Sequence, residues 1–320
     1  MKEILESTKK VVEKSIRVEI RTQALINFSR ELGAANIQIP SWNYSYHYYG
    51  KGEEMVAYLL VLDSINFCFW PPPGKKKWEI DYQSEKISGY YALAASLKQA
   101  VESGIPITKA RYLADLSLDE LKQLLGGRGT LQLFEHRLQN LKELGQVLLK
   151  EYKGEACKLV EAAEKSAVKL VRLLAEKLGS FRDVGKYRGY DVFFYKRAQL
   201  FAADLYGAFQ GKGWGCFFDM DQLTAFADYK LPQLLRHLGI LHYSQELAEK
   251  VDQKVPLEAG SPEEVEIRAN TIWAVELIRQ ELSQRGKELR SFEIDWILWN
   301  LSQKKEFKLK PYHRTATIFY

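Results

Sequence analysis

The stretch PEEVEIRANTIWAVELIRQEL, residues 262–282, carries the clearest periodic signal in the chain. Proline suits the first turn of a helix, where its missing N–H is not needed, and Pro262 stands there. The apolar residues behind it recur at helical spacing, which predicts a long amphipathic helix. Working outward, FEIDWILWNLSQ (292–303) reads as a second helix. LPQLLRHLG (231–239) reads as a short one, with Gly239 suited to a C-terminal cap. DQLTAFADY (221–229) is taken as another short helix joined to it by a tight connection, because Leu231 before Pro232 disfavours helix. Helical spacing also predicts 131–152, 155–178 and the run DVFFYKRAQLFAADLYGAFQG (191–211) after the polar FRDVGKYRGY. Ser117 with Glu120 three residues on is a capping-box signature for SLDELKQLL.

Nearer the N-terminus, residues 2–33 alternate charged and apolar positions at helical spacing, ending at Gly33. IPSWNYSYHYYGKG (39–52) reads as a loop, and EEMVAYLLVLDSINFCFW (53–70) as a buried helix stopped by Pro71, Pro72 and Pro73. KKKWEIDYQSEKISGYYAL reads as a β-hairpin, and KPYHRTATIFY as a terminal strand. No repeat and no Gly/Ser linker interrupts the chain. The expectation is a mainly α fold, one α-rich domain over 1–320 with a small β element.

Composition narrows the function. The chain has 320 residues, 46% hydrophobic and 27% charged, a globular balance. A net charge of +5, spread along the chain, is compatible with an anionic small molecule or RNA and demands neither. Three cysteines form no CxxC pair, and His237 and His242 are five apart, off one helix face; neither pattern suits zinc. The charged start MKEILESTKKVVEKSIRVEI lacks a signal-peptide core, and no apolar run approaches the roughly 20 residues of a membrane helix. A cytoplasmic protein with no membrane association is expected.

No Walker loop, GxGxxG, HExxH or GxSxG is present. Instead three aspartates stand among aromatic and aliphatic residues: Asp63, Asp228 and Asp295. A carboxylate in such surroundings must be hydrogen-bonded or paired, or its pKa rises. That is how catalytic acids are tuned, and also how ordinary helices are capped. Asp228 stands out by its place near a helix junction; the plain alternative is a cap near Pro232. Asp295, Trp296, Trp299 and Asn300 share one side of a helix, as a grip for a flat heterocycle or as a core stripe. Tyr195, Lys196 and Arg197 could bind phosphate or be solvated surface charge. His47 lies in an aromatic loop, at a ligand or at the surface.

Nine blocks in order carry a resemblance: LDSINFCFW (62–70), SGYYAL (88–93), GIPIT (104–108), FYKRAQ (194–199), GKGWGCF (211–217), FADYKLPQLLRHLG (226–239), EVEIRANTIWAVELIR (264–279), DWILWN (295–300) and PYHRT (311–315). Together they resemble the queuosine 5'-phosphate N-glycosylase (queuosine salvage) family from about residue 40 onward; residues 1–40 match least. The resemblance implies a mostly helical fold related to helix-hairpin-helix DNA glycosylases. It implies hydrolysis of queuosine 5'-monophosphate to queuine and ribose 5-phosphate, with no metal or organic cofactor. The aspartate of the FADY block, here Asp228, would be nucleophile or transition-state stabiliser, and Phe226 the aromatic contacting the base. In a block similar to DYxLWD, the first acid matches Asp295, the next aromatic Trp296 and the last acid Asn300; the upstream histidine corresponds to His47. Trp296 replaces a tyrosine and Asn300 an aspartate. For the phosphate, Tyr195, Lys196, Arg197, Lys230 and Arg268 are the candidates. No stable nucleic-acid complex is expected. The alternatives are a base glycosylase acting on polymer and a non-catalytic nucleoside- or RNA-binding protein.

Overall fold

Residues 262–283 form the expected helix, and most of its sides are covered by neighbouring elements. The computed structural model describes residues 1–35, 38–50, 52–308 and 310–320 and is mainly helical, with 56% of the chain in helices. By contacts the chain divides into two compact units. One comprises Met1–Ser41, Asp183–Lys196 and Asp219–Ala316; the other comprises Trp42–Arg182, Arg197–Phe218 and Thr317–Tyr320. Both are discontinuous in sequence, so no linker composition marks the division.

In the first unit the helix Pro262–Ser283 packs against helices Lys2–Val12, Thr22–Ala34, Lys230–His237 and Ser291–Gln303. Its expected polar face is buried too: Glu264, Glu266, Arg268, Asn270, Thr271 and Glu276 are all inaccessible. Glu266 shows how such burial is tolerated. Its carboxylate accepts from the Ile16 and Arg17 amides (3.2 and 2.8 Å), from Arg17 Nη1 (3.2 Å) and from the Tyr187 hydroxyl (2.8 Å). Those bonds, with the pairing of Val18–Ile20 against Leu241–Tyr243, divide residues 2–33 into two helices rather than one. A second departure is the hairpin Val184–Tyr187/Tyr190–Phe193, where helix is expected from 191. Its turn, Arg188-Gly189, takes positive φ at both residues (48° and 84°), the two-residue turn that matches strand twist.

Residues 221–229 are not a helix. A 3-10 turn, Met220–Gln222, is followed by an irregular run to Asp228, and the helix begins at Lys230. Leu231 and Pro232 lie inside its first turn, where a proline costs no intrahelical bond. The tail is likewise no strand; beyond turns and bends it contributes one isolated bridge, Pro256 with Arg314.

In the second unit the helix Glu53–Ser64 is buried from Met55 onward, but it ends six residues before the expected stop, and Cys68 adopts positive φ (46°). The hairpin Glu79–Tyr82/Glu85–Ser88 forms as expected, turning at Gln83-Ser84. Ser117 and Glu120 make the capping box of the helix Leu118–Leu125. The stretch 131–178 becomes three helices, Phe134–Glu151, Ala156–Ala162 and Ala167–Lys177. Among the described residues no helix is long and apolar enough to cross a membrane.

Close backbone packing within this unit is testable at Gly145. A Cβ there would lie 2.5 Å from the Ala114 nitrogen and 2.6 Å from the Ala110 oxygen, both backbone atoms of the helix Ala110–Asp115. Neither can swing away. Gly145→Ala should lower stability by about 1–3 kcal/mol despite alanine's better helix propensity, seen as a lower unfolding midpoint in calorimetry.

Candidate active site

The run from Leu223 to Asp228 is buried yet belongs to no helix or strand. Its backbone polar groups therefore need partners from elsewhere. The Phe226 amide donates to Asp295 Oδ2 at 2.7 Å, and the Ala227 carbonyl accepts from Arg268 Nε at 3.1 Å. Asp228 closes the run by its own side chain: Oδ1 accepts from the Lys230 and Leu231 amides at 2.7 and 3.0 Å. This is capping of a helix start through one oxygen. Among the described residues no hydrogen bond engages Oδ2.

The two carboxyl groups are unequally placed. Burial pushes Asp228 above the ordinary aspartate range; the Lys196 ammonium, the amides of Leu231 and Lys230, and the Lys230 charge pull it back. Asp295 is raised further. Burial is again the main cause, one amide from Phe226 opposes it, the negative charge of Asp228 adds to it, and Lys196 offsets part. Asp228 thus has two amides and a helix start in its favour, Asp295 a single amide. Burial and the Asp228 charge thus favour the neutral form of Asp295 more than burial favours that of Asp228.

Phe226 is 3% exposed, directly between Asp295 and Asp228 along the chain's hydrogen-bonding path. Trp296 is half-buried, edge-on to Phe292 at 5.1 Å. Trp299 packs on the hydrophobic core instead, so the two indoles do not act as a pair. Asn300 is exposed and donates Nδ2 to the Trp296 carbonyl at 2.8 Å. His47, in the second unit, is not at the surface. Its Nδ1 lies 2.6 Å from the Asn43 carbonyl, which can only accept, so Nδ1 carries the proton and Nε2 accepts from the Tyr90 hydroxyl at 2.8 Å. The Trp42 ring stands 4.3 Å away. Burial lowers the His47 pKa to about 4, leaving a neutral ring with both nitrogens occupied.

The phosphate candidates separate sharply. Arg197 is 1% exposed and donates to the carbonyls of Asp63, Ser64 and Ser180. Arg268 is 2% exposed and forks onto both oxygens of Asp183, Nη1 to Oδ1 at 2.9 Å and Nη2 to Oδ2 at 2.6 Å. Both guanidinium groups are buried and serve internal partners. Tyr195 takes positive φ (48°) and rests against Phe193, while Lys196 is buried and its charge favours the ionised form of both aspartates. Lys230 is half-exposed, its ammonium 5.0 Å from the Tyr312 ring and 5.8 Å from the Tyr229 ring.

Sequence reasoning missed Asp183, which stands in a polar stretch with no periodic signal, and His313. The latter is 1% exposed and held neutral, its pKa lowered to about 3 by burial and by the nearby Arg268 charge.

Against this geometry the comparisons with known proteins are informative. Residues 46–320 match the pattern of a family described as queuosine salvage protein. A protein of Sphaerobacter thermophilus named queuosine 5'-phosphate N-glycosylase/hydrolase is 45% identical, covering 99% of this chain and 97% of its own. Proteins of the same name from Bos taurus (38% identical, 85% and 83% covered) and Schizosaccharomyces pombe (32% identical, 90% and 86% covered) match as well. A pattern match over most of the chain, with relatives aligned nearly end to end, places this chain in the queuosine salvage protein family.

Proposed function

We propose that the chain hydrolyses the N-glycosidic bond of queuosine 5'-monophosphate, releasing queuine and ribose 5-phosphate. The relatives' names supply the reaction. The observation that carries the reading on this chain is the unequal carboxyl pair: Asp228, with Oδ1 tied to two amides and Oδ2 hydrogen-bonded to none of the described residues, beside a buried Asp295 joined to the Phe226 amide.

When the ribosyl C–N bond breaks, its electron pair leaves with the base and positive charge develops on the sugar. Asp228 Oδ2 faces the anomeric carbon and stabilises that charge, electrostatically or by covalent capture. The departing 7-deazaguanine has no N7 to protonate, so help must reach another edge atom. Asp295 supplies it: with Oδ2 held by Phe226, the proton sits on Oδ1 and passes to the base edge. Water then adds to the anomeric carbon and its proton restores Asp295, so the sum is base plus ribose 5-phosphate. The rings of Phe226 and Trp296 bracket the base, and Asn300 lies toward its side arm. Lys230, half-exposed with its ammonium 3.3 Å from Gln233 Oε1 and beside the Tyr312 ring, is the residue proposed to hold the phosphate. His47, in the second unit, orders the aromatic loop there through Asn43 and Tyr90. Kinship with the helix-hairpin-helix DNA glycosylases belongs to the same proposal, and the mainly helical fold is compatible with it.

Incubation with queuosine 5'-monophosphate should release free queuine, detected by mass spectrometry. Asp228→Asn should lower kcat by about 10²–10³-fold, the usual cost of one preorganised charge-stabilising group. Ligand binding without base release, or an Asp228→Asn variant as fast as the wild type, overturns the reading. Loss of binding along a steep salt gradient would point to a polymer substrate instead.

Lys230→Ala should reduce the preference for nucleotide over nucleoside by roughly 10-fold or more, in proportion to one charged hydrogen bond of about 1.5–3 kcal/mol. Unchanged discrimination removes Lys230 from the phosphate site.

The Asp295 proton gives a signed pH dependence. Its folded pKa lies above the unfolded value near 4, so its contribution to stability is full below about pH 4 and is lost as pH rises through the folded value. Wild-type kcat and unfolding midpoint should both fall on that alkaline limb, and Asp295→Asn should reduce the fall in midpoint, leaving the smaller part due to Asp228. A variant whose midpoint tracks the wild type at every pH would show that Asp295 is ionised throughout.

A further inference from the structure

Resting on the reading above, we propose that the buried Arg268–Asp183 pair is a positioning device for the reaction: it sets the Lys196 cation and the Asp228 carboxylate in register with each other.

The two partners reach both functional groups through the backbone. Arg268 Nε donates to the Ala227 carbonyl, one peptide before Asp228. Its other nitrogens fork onto Asp183 and reach Glu264 Oε1 at 3.4 Å, one turn earlier on the same helix. Asp183 Oδ2 accepts the Lys196 amide at 3.1 Å, and the Asp183 carbonyl accepts the amides of Phe194 and Tyr195 at 3.1 and 3.2 Å. The Phe194 ring lies 3.9 Å from the guanidinium centre. Asp183 therefore pins the chain on three successive residues just where Tyr195 turns through positive φ and Lys196 opens the helix Lys196–Ala208. Arg268 pins the irregular run that presents Asp228. One ion pair joins the two pins.

A planar fork is what this requires. Two parallel N–H bonds to one carboxylate fix direction as well as distance, and the third nitrogen must reach a carbonyl on another segment. Lysine at the same place keeps the charge but cannot serve Asp183 and Ala227 together in fixed geometry. Asparagine at 183 keeps the shape and the backbone carbonyl but weakens the acceptor shared by Lys196 and Arg268. Neither residue touches substrate in this scheme, so the effect falls on chemistry rather than on ground-state binding.

The test compares wild type, Arg268→Lys and Asp183→Asn, with kcat expressed per folded molecule, KM, queuine affinity by calorimetry, and the pH–rate profile. Both variants should lose about 10-fold or more in kcat with KM and queuine affinity little changed. The acidic limb of the profile should shift, because the distance from Lys196 to Asp228 helps set where Asp228 ionises. Wild-type kcat per folded molecule, or activity that falls only in proportion to the folded fraction with an unmoved pH profile, overturns the proposal and leaves the pair a fold-stabilising contact. A wild type that releases no queuine refutes the proposed reaction itself, a separate outcome.

Discussion

The peptide groups of residues 226 and 227 are buried outside any regular element, and everything at the site follows from how they are satisfied. A buried amide or carbonyl left without a partner costs about 1–3 kcal/mol, so an irregular buried segment persists only where side chains supply what a helix or strand would have. Here the helix Ser291–Gln303 supplies Asp295 for one amide and the helix Pro262–Ser283 supplies Arg268 for one carbonyl. The backbone is thereby held from two rigid elements. Asp228 inherits that rigidity, and its own Oδ1 starts the next helix. Precise placement of a carboxylate is thus achieved on a loop, at the cost of burying ionisable groups.

That cost is also what differentiates the two acids. Identical side chains in one buried site cannot both hold full charge cheaply; the second is disfavoured by desolvation and by the first. Asp228 has the better anion environment, two amides at a helix start and the Lys196 and Lys230 charges. Asp295 has one amide and faces the Asp228 charge. The same bonds that satisfy the backbone therefore make the two acids unequal, and the proposed division into charge stabiliser and proton carrier rests on that inequality.

Helical class was legible because amphipathic spacing is local, and so were the hairpin at Gln83-Ser84 and the Ser117 capping box. The hairpin at Arg188-Gly189 carried a signal, alternating residues about an RG turn, that a neighbouring helical pattern masked. The tail and residues 221–229 were misread because short apolar runs have the same spacing in helix, strand or buried loop. At the site the aspartates were legible as acids in apolar company, whereas Arg197 and Arg268 looked like phosphate ligands. A guanidinium bound to anionic ligand and one bound to internal carbonyls are the same letters; only the partners, up to 134 residues away, distinguish them. Asp183 was invisible for the same reason.

The departures from the family pattern fall where they cost least. Asn300 is exposed and donates Nδ2 to the Trp296 carbonyl, and its Oδ1 is an acceptor, as an aspartate oxygen would be. What is lost is one exposed charge, and exposed ion pairs are worth about 0–1 kcal/mol. Trp296 keeps an aromatic face against Phe292 while giving up a hydroxyl. A swap at Asp295 would be of another order, because there the carboxyl also holds the Phe226 peptide in place. In the proposed site, variation at 296 and 300 would adjust how the base's periphery is met, while the bonds that hold 226–228 fix the backbone that carries Asp228.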